Sequence, residues 1–231
     1  FGILIGWYYC KKFLIKDSKI LYLFDDVIFY IIAGIILGGR LGYVILYNPS
    51  FYINNPQEII MIWNGGMSFH GALLGIIFTT YFFCKRNKID TFKVLDLIAM
   101  VAPIGILFGR FANFINSELY GKETEISWAV KFISVDNLYR HPSQIYEAFF
   151  EGIVLFLLLN IMFKKFLFRS GIISSLFLIY YSIFRFFIEF TREPDPQIGY
   201  LLLNLSMGQI ISIVFFITGI FLFYLKNENK I

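Results

Sequence analysis

Residues Gly109–Gly121 read Gly-Arg-Phe-Ala-Asn-Phe-Ile-Asn-Ser-Glu-Leu-Tyr-Gly, and they close an apolar helical run from Val94 to Leu107. A span that ends by presenting an arginine, two asparagines and a glutamate needs a reason. An arginine at the centre of a bilayer costs roughly 2.5–3.5 kcal/mol on insertion scales. The cost falls near the interface, where the side chain snorkels toward the headgroups. Arg110 sits where such a side chain would meet lipid phosphate. Taken alone it reads as a snorkelling anchor; it reads as part of a site if other helices bring polar groups to the same side.

The rest of the chain repeats this pattern. Its 231 residues are 58% hydrophobic and 20% aromatic, with a mean hydropathy of +0.70. Crossing a hydrocarbon core takes about 20 apolar residues per helix. The runs predict an all-α polytopic membrane protein with seven spans: Phe1–Leu14, Val27–Tyr47, Met67–Cys84, Val94–Ile115, Ile145–Phe163, Ile172–Phe190 and Met207–Leu225. Basic residues alternate between the loops. Lys11, Lys12, Lys16 and Lys19 follow the first span, and Lys85, Arg86, Lys88 and Lys93 the third; Lys164, Lys165 and Arg169 follow the fifth, and Lys226 and Lys230 close the chain. The stretch from Asn48 to Gly66 has no lysine or arginine. The positive-inside rule then predicts an outer N-terminus and a cytoplasmic C-terminus. The net charge of +4 follows the membrane and is no signal for nucleic acid.

Small residues at four-residue spacing let helix backbones approach closely. Gly34, Gly38 and Gly42 in the second span, Gly71 and Gly75 in the third, and Gly105 and Gly109 in the fourth have that spacing. They read as packing positions, except where they flank charged residues. Pro103 is expected to kink or break the fourth span. The reading is one integral-membrane domain over 1–231, with residues 116–144 as a small extracytoplasmic cap and Asn48–Met61 along the outer interface. The chain begins at Phe1 inside an apolar run, so an N-terminal piece is expected to be missing. Cys10 and Cys84 are too few for a disulfide framework or a metal site and read as structural.

With that orientation, five helices deliver polar groups to one leaflet. Arg40 ends the second span, and His70 opens the third. Arg110 and Asn113 end the fourth; Arg140, His141 and Glu147 open the fifth; Arg185, Glu189 and Arg192 end the sixth. Random anchoring would decorate both leaflets alike. Arginine grips phosphate through a bidentate fork, so arginines at headgroup depth suit a phospholipid. Arg185 and Glu189 share a helix face, and with Arg192 they also fit a structural ion-pair network. His70 and His141 are the two side chains able to take a proton at neutral pH. His70 reads as a base or as an interhelical hydrogen-bond partner. His141, before Pro142, reads as a capping residue. No metal cluster, Ser-His-Asp set or phosphate loop is present in the pattern.

Gly109–Gly121 resembles the signature of the prolipoprotein diacylglyceryl transferases, Gly-Arg-x-Gly-Asn-Phe-x-Asn-Gly-Glu followed by a glycine. The likeness extends to Gly-Gly-Arg-Leu-Gly-Tyr-Val (38–44), Gly-Gly-Met-Ser-Phe-His-Gly (65–71) and Arg-His-Pro-Ser-Gln-Ile-Tyr-Glu (140–147). It continues through Arg185–Asp195 and Ser206-Met207-Gly208-Gln209, in the family's order across nearly the whole chain. The resemblance implies transfer of a diacylglyceryl group from phosphatidylglycerol to the lipobox cysteine of a prolipoprotein, with release of glycerol phosphate. It implies no metal and no cofactor. It also implies a multi-pass, monomeric enzyme of the bacterial plasma membrane, with its active site toward the outer leaflet. On it, Arg110 holds the phosphate, Asn113 orients it, Arg185 stabilises the leaving group and His70 is the base that makes the thiolate. Arg40, Asn116, Glu118, Gly121, His141, Tyr181 and Glu189 match positions assigned to substrate binding or support.

This chain departs from the family's pattern at Ala112 and Ser117, which stand where the signature has glycine, and at Ala72 after the histidine block. Phe1 stands before Gly2 where a tyrosine is usual, and the short segment between Gly121 and Arg140 predicts a reduced cap. Two other readings remain: a transporter, which would place its charges near the midplane, and a non-catalytic phospholipid-binding membrane protein, which would need the arginines but not His70.

Overall fold

The computed structural model describes residues 1–46, 49–166, 169–194 and 199–228. Helices dominate in chain order: α1 (Gly2–Tyr9), α2 (Ser18–Leu46), α3 (Pro49–Asn54), α4 (Phe69–Asn87), α5 (Thr91–Ile115), α6 (Ser143–Glu147), α7 (Leu155–Lys165), α8 (Ile172–Ile188) and α9 (Met207–Glu228). A π-helical turn, Cys10–Leu14, prolongs α1, and a second, Ala148–Val154, joins α6 to α7 in one continuous helix. A hairpin of β1 (Val130–Lys131) and β2 (Tyr139–Arg140) is antiparallel, with Val130 opposite Arg140. Among the described residues, five helices are long and apolar enough to cross a membrane: Ser18–Ile45, Thr91–Ile115, Ser143–Lys165, Ile172–Thr191 and Met207–Glu228.

The first and third expected spans are not among these five. Gly2–Leu14 has eight α-helical and five π-helical residues. In α4 the apolar stretch is diluted by Thr79 and Thr80 and ends in Lys85, Arg86 and Asn87. The second helix begins at Ser18, nine residues before the expected Val27. The cause is a cap: Asp17 Oδ1 accepts from the backbone N–H of Lys19 at 3.0 Å and of Ile20 at 3.3 Å, and a carboxylate there satisfies donors that a helix start leaves free. Pro103 lies inside α5 without breaking it.

The chain forms two compact units. Residues 11–95 make one, and its seam is the pair α2–α4. A Cβ on Gly38 would overlap Gly71 and Gly75, and one on Gly71 would overlap Gly38 and Gly42. The expected packing role of these glycines is therefore met by backbone-to-backbone contact. Ser68 caps α4, its side chain accepting from Gly71 N at 3.3 Å.

Residues 1–10 and 96–231 make the other unit. Here Asp96 of α5 reaches the start of α8 and accepts from Gly171 N at 2.7 Å, Ser174 N at 2.7 Å and Ser174 Oγ at 2.5 Å. Residues 116–144 fold around the hairpin. Gly121 N donates to His141 O at 3.0 Å, Lys122 N to Thr191 O at 2.9 Å and His141 N to Lys122 O at 2.9 Å. The segment thus ties the end of α5, the entry to α6 and the exit of α8 together. Gly121 is required there, because a Cβ would fall on the carbonyl oxygens of His141 and Thr191.

Candidate active site

Within the second unit, three arginines and three glutamates converge. Arg110 comes from the last turns of α5. Glu147 closes α6, and Glu151 lies one turn on in the π-helical segment; residues four apart share a face. Arg185 and Glu189 end α8, and Arg192 follows on the strand-like segment that bridges to Gly121. Single π turns inside α-helices are frequent at functional sites, and here the turn carries a fully buried carboxylate.

Glu147 is the hub. Its carboxylate lies 3.0 Å from Arg110 Nε and 3.7 Å from Arg192 Nη1, and it accepts a hydrogen bond from Arg185 Nη1. Glu189 pairs with Arg185 Nη2 at 2.7 Å and with Arg192 Nη1 at 3.9 Å, and accepts from Ser206 Oγ at 2.9 Å. Glu151 stands 3.8 Å from Arg110 Nη2 and 3.8 Å from Arg185 Nη1. Both its oxygens are buried without a hydrogen-bond partner among the described residues. The Arg110 side chain, 17% exposed, is the most accessible of the six; both Glu147 and Glu151 are at 0%. Beside it, a Cβ on Gly109 would meet nothing within 4 Å. Among the described residues, the carboxylates engage Nε and Nη2 of Arg110 and no ion pair engages Nη1.

Ser206 and Gln209 hold Glu189 in place. Gln209 N donates to Ser206 Oγ at 3.2 Å, and Ser206 N to Gln209 Oε1 at 3.0 Å. This is a capping box at the start of α9, and the Ser206 hydroxyl proton goes to Glu189. The Ser-Met-Gly-Gln block thereby acquires a physical role. Burial and the neighbouring Arg185 push the Arg192 guanidinium down from its ordinary range, but a guanidinium remains charged at any physiological pH.

The other residues singled out in the sequence are placed as follows. Asn113 Nδ2 donates to Glu118 Oε2 at 2.9 Å, so these two form a pair beyond Arg110; Asn116 is exposed beside them. Tyr181 is buried one turn before Arg185 and stacks on Phe177 at 5.6 Å. His141 Nδ1 lies 3.4 Å from the Tyr146 hydroxyl, which accepts from Trp128 Nε1 at 2.7 Å. Burial and Lys122 lower the pKa of this imidazole, so it is neutral at pH 7. Arg140 pairs with Asp136 at 2.7 Å, which holds that carboxyl below its ordinary range. Gly121 is the backbone crossing described above.

Arg40 and His70 belong to the first unit. The five N–H groups of Arg40 meet five carbonyls: Ile59 at 2.9 Å, Gly66 at 3.1 Å, Glu58 at 2.5 Å, Met61 at 3.2 Å and Gly65. Its guanidinium also lies 5.2 Å from the Tyr52 ring. Arg40 is thus the post around which residues 58–66 wrap. His70 is in the first turn of α4; its side chain lies outside the described residues. Residues 195–198, at the end of the Arg185–Asp195 block, also lie outside them.

Three members of the cluster are not site candidates in the sequence: Glu147 and Arg192 stand among the polar groups of the outer face, Arg192 also in the ion-pair network with Arg185 and Glu189 that the structure forms, and Glu151 does not appear. The signal for Glu151 was available, because a carboxylate inside an apolar span is by default a functional candidate.

Known proteins resemble this chain over its full length. A family model described as prolipoprotein diacylglyceryl transferase matches residues 1–225. A relative from Ehrlichia canis (strain Jake), named phosphatidylglycerol–prolipoprotein diacylglyceryl transferase, is 48% identical over 240 aligned residues, covering 100% of this chain and 90% of the relative. The protein of that name from Rickettsia bellii (strain OSU 85-389) is 50% identical, with 99% of this chain and 88% of the relative covered. The one from Rickettsia felis (strain ATCC VR-1525 / URRWXCal2) is 49% identical, with coverages of 99% and 90%.

Proposed function

This chain belongs to the prolipoprotein diacylglyceryl transferase family, and on that premise we propose that it moves the diacylglyceryl group of phosphatidylglycerol onto the lipobox cysteine of a prolipoprotein. A carbon–sulfur bond forms at the glyceryl carbon, the carbon–oxygen bond to phosphate breaks, and glycerol phosphate leaves. The thiol proton goes first to a base. The observation that carries the reading is the convergence of Arg110, Arg185 and Arg192, with Arg110 the most exposed of the three. A phosphodiester is an anion whose charge grows as the carbon–oxygen bond breaks. Fixed guanidinium donors aimed at that charge lower the barrier. Removing one such donor from an oxyanion site typically costs about 10²–10³ in turnover.

In this reading Arg110, the most exposed of the cluster, takes the phosphate, and Arg185, held by Glu147 and Glu189, stabilises the leaving group. Asn113 and Glu118 order the approach to Arg110, with Asn116 and Gly121 in support. Tyr181 packs the wall behind Arg185. His70 is the base, assigned on the family resemblance alone. Arg40 serves as the post for residues 58–66, and His141 orders the cap. The α1 segment and α4 join the five long apolar helices as spans six and seven in number, with the N-terminus outside and the site toward the outer leaflet of a bacterial plasma membrane.

The test is mass analysis of a lipobox peptide incubated with the protein in phosphatidylglycerol liposomes, using wild type, Arg110→Ala and His70→Gln. The expected result is a diacylglyceryl mass on the cysteine with wild type, lost with Arg110→Ala and strongly slowed with His70→Gln. Transfer surviving Arg110→Ala moves the phosphate site elsewhere. Near-normal turnover of His70→Gln at neutral pH removes the histidine from the role of base. No transfer by folded wild type refutes the proposal.

A further inference from the structure

Among the described residues, the charges of the buried cluster balance before any substrate arrives: three arginines face three glutamates. A phosphodiester entering this group adds one negative charge to a site with little access to water. An uncompensated ion in such a place costs several kcal/mol, and the usual response is a change of protonation. We propose that the cluster binds its phosphodiester together with one proton, and that Glu151 carries that proton. This inference rests on the assignment of Arg110 and Arg185 to the lipid phosphate.

Glu151 is singled out by what its neighbours hold. Protonating Glu147 would weaken its hydrogen bond from Arg185 and its contacts with Arg110 and Arg192. Protonating Glu189 would weaken its 2.7 Å pair with Arg185 and oppose the proton arriving from Ser206. Glu151 has no hydrogen bond and no close ion pair to lose, only two contacts at 3.8 Å. Both oxygens are buried without a hydrogen-bond partner among the described residues, 3.8 Å from Arg110 and from Arg185. The charged and titratable groups facing it among the described residues are Arg110 from α5, Glu147 from its own helix, Tyr181 and Arg185 from α8, and Arg192 beyond it. Once neutral, the carboxyl also becomes a donor, able to give a charge-assisted hydrogen bond to a phosphate oxygen between the two arginines. The thioether chemistry needs no change: the proton enters with the lipid and is held at Glu151 Oε while the phosphate is bound.

A short-chain phosphatidylglycerol tests this, because a phosphodiester does not itself titrate near neutrality. Binding to the detergent-solubilised full chain, without peptide acceptor, is measured by titration calorimetry at pH 8 in two buffers of different ionisation enthalpy, and Kd is followed from pH 6 to 9. Wild type is expected to take up about one proton per lipid at pH 8 and to lose about tenfold in affinity per pH unit on the alkaline side. Glu151→Gln is expected to take up none and to bind with a Kd that stays flat across the range. Glu151→Asp is expected to restore the uptake. Binding by wild type with no proton uptake anywhere from pH 6 to 9 overturns the inference, and needs no variant to fold. Full uptake retained by Glu151→Gln overturns the assignment to this residue. Proton-linked binding without transfer to a lipobox peptide would refute the enzymatic reading and leave this one standing. Active transfer without proton linkage would do the reverse, and no binding at millimolar lipid would refute both.

Discussion

Replacing Glu147 by glutamine tests whether the cluster is held by its hub. The side chain keeps its size and loses its charge, so three arginines are left facing two carboxylates. With an effective dielectric of about 20, unit charges about 4 Å apart attract with roughly 4 kcal/mol. Glu147 has two such partners, at 3.0 and 3.7 Å, and a third, closer one in Arg185. Most of that gross attraction is offset by the cost of burying the ions, and removing one partner of a buried pair nets about 3–5 kcal/mol. For a domain of this size each kcal/mol moves the midpoint by about 2–4 °C. The melting midpoint of the purified protein in detergent should therefore fall by roughly 6–20 °C, compared at one scan rate because unfolding of such proteins is often irreversible. Adding Arg192→Gln restores the balance of charge and should recover part of the loss. A fall of less than about 3 °C would mean a hub worth under about 1 kcal/mol, and would refute the charge accounting on which the site rests.

Three further outcomes can be checked on the same preparation. Asp96→Ala removes the acceptor for Gly171 N, Ser174 N and Ser174 Oγ; the lost cap and the stranded donors should cost roughly 2–4 kcal/mol, read as a lower midpoint and faster hydrogen exchange in the first turn of α8. Ser117 has φ of 57°, a left-handed conformation that costs a side-chain-bearing residue about 1–2 kcal/mol. Glycine gives back part of that through its floppier unfolded chain, so Ser117→Gly should raise the midpoint by roughly 1–4 °C, and a lower midpoint would remove the strain from the account. His141 has its folded pKa lowered by burial and Lys122, so the unfolded chain binds the proton more readily. Stability should decline as pH falls from about 6.5 toward the folded pKa, and be free of this effect above it. Stability of His141→Gln, followed from pH 8 to 5, should lack that part of the slope.

Apolar run length and the four-residue glycine spacing made most of the fold readable. The runs located α2, α5, the α6–α7 helix, α8 and α9, and the glycines of the second and third runs read as packing positions, which the structure pairs at the α2–α4 seam. Helix starts were less legible where a single capping residue decides them. Asp17 sits among lysines and reads as loop, but its carboxylate begins α2 nine residues before the apolar stretch does. The cap of residues 116–144 was legible as polar chain. Its hairpin, with strands of two residues each, is too short for alternation of side chains to show. Ser117 shows a different limit. Its departure from the family signature was visible in the sequence, but what the glycine had been for became clear only with the positive φ.

The cluster was half legible, for a reason that lies in how its charges are arranged. Arginines at helix ends announce themselves because their cost in lipid is high, and Arg110, Arg185 and Arg192 were each visible. Their counter-ions were hidden by order of reading. Glu147 belongs to a motif that begins with Arg140 and His141, yet those two side chains fold toward Asp136, Glu193 and Tyr146, while Glu147 points into the cluster. Glu151 falls among phenylalanines four residues on, where hydropathy averaging conceals one carboxylate. Charge conservation would have found it. Three buried arginines demand about as many buried acids on the elements that face them, and the helix opened by Arg140-His141 carries two acids, Glu147 and Glu151, on one face.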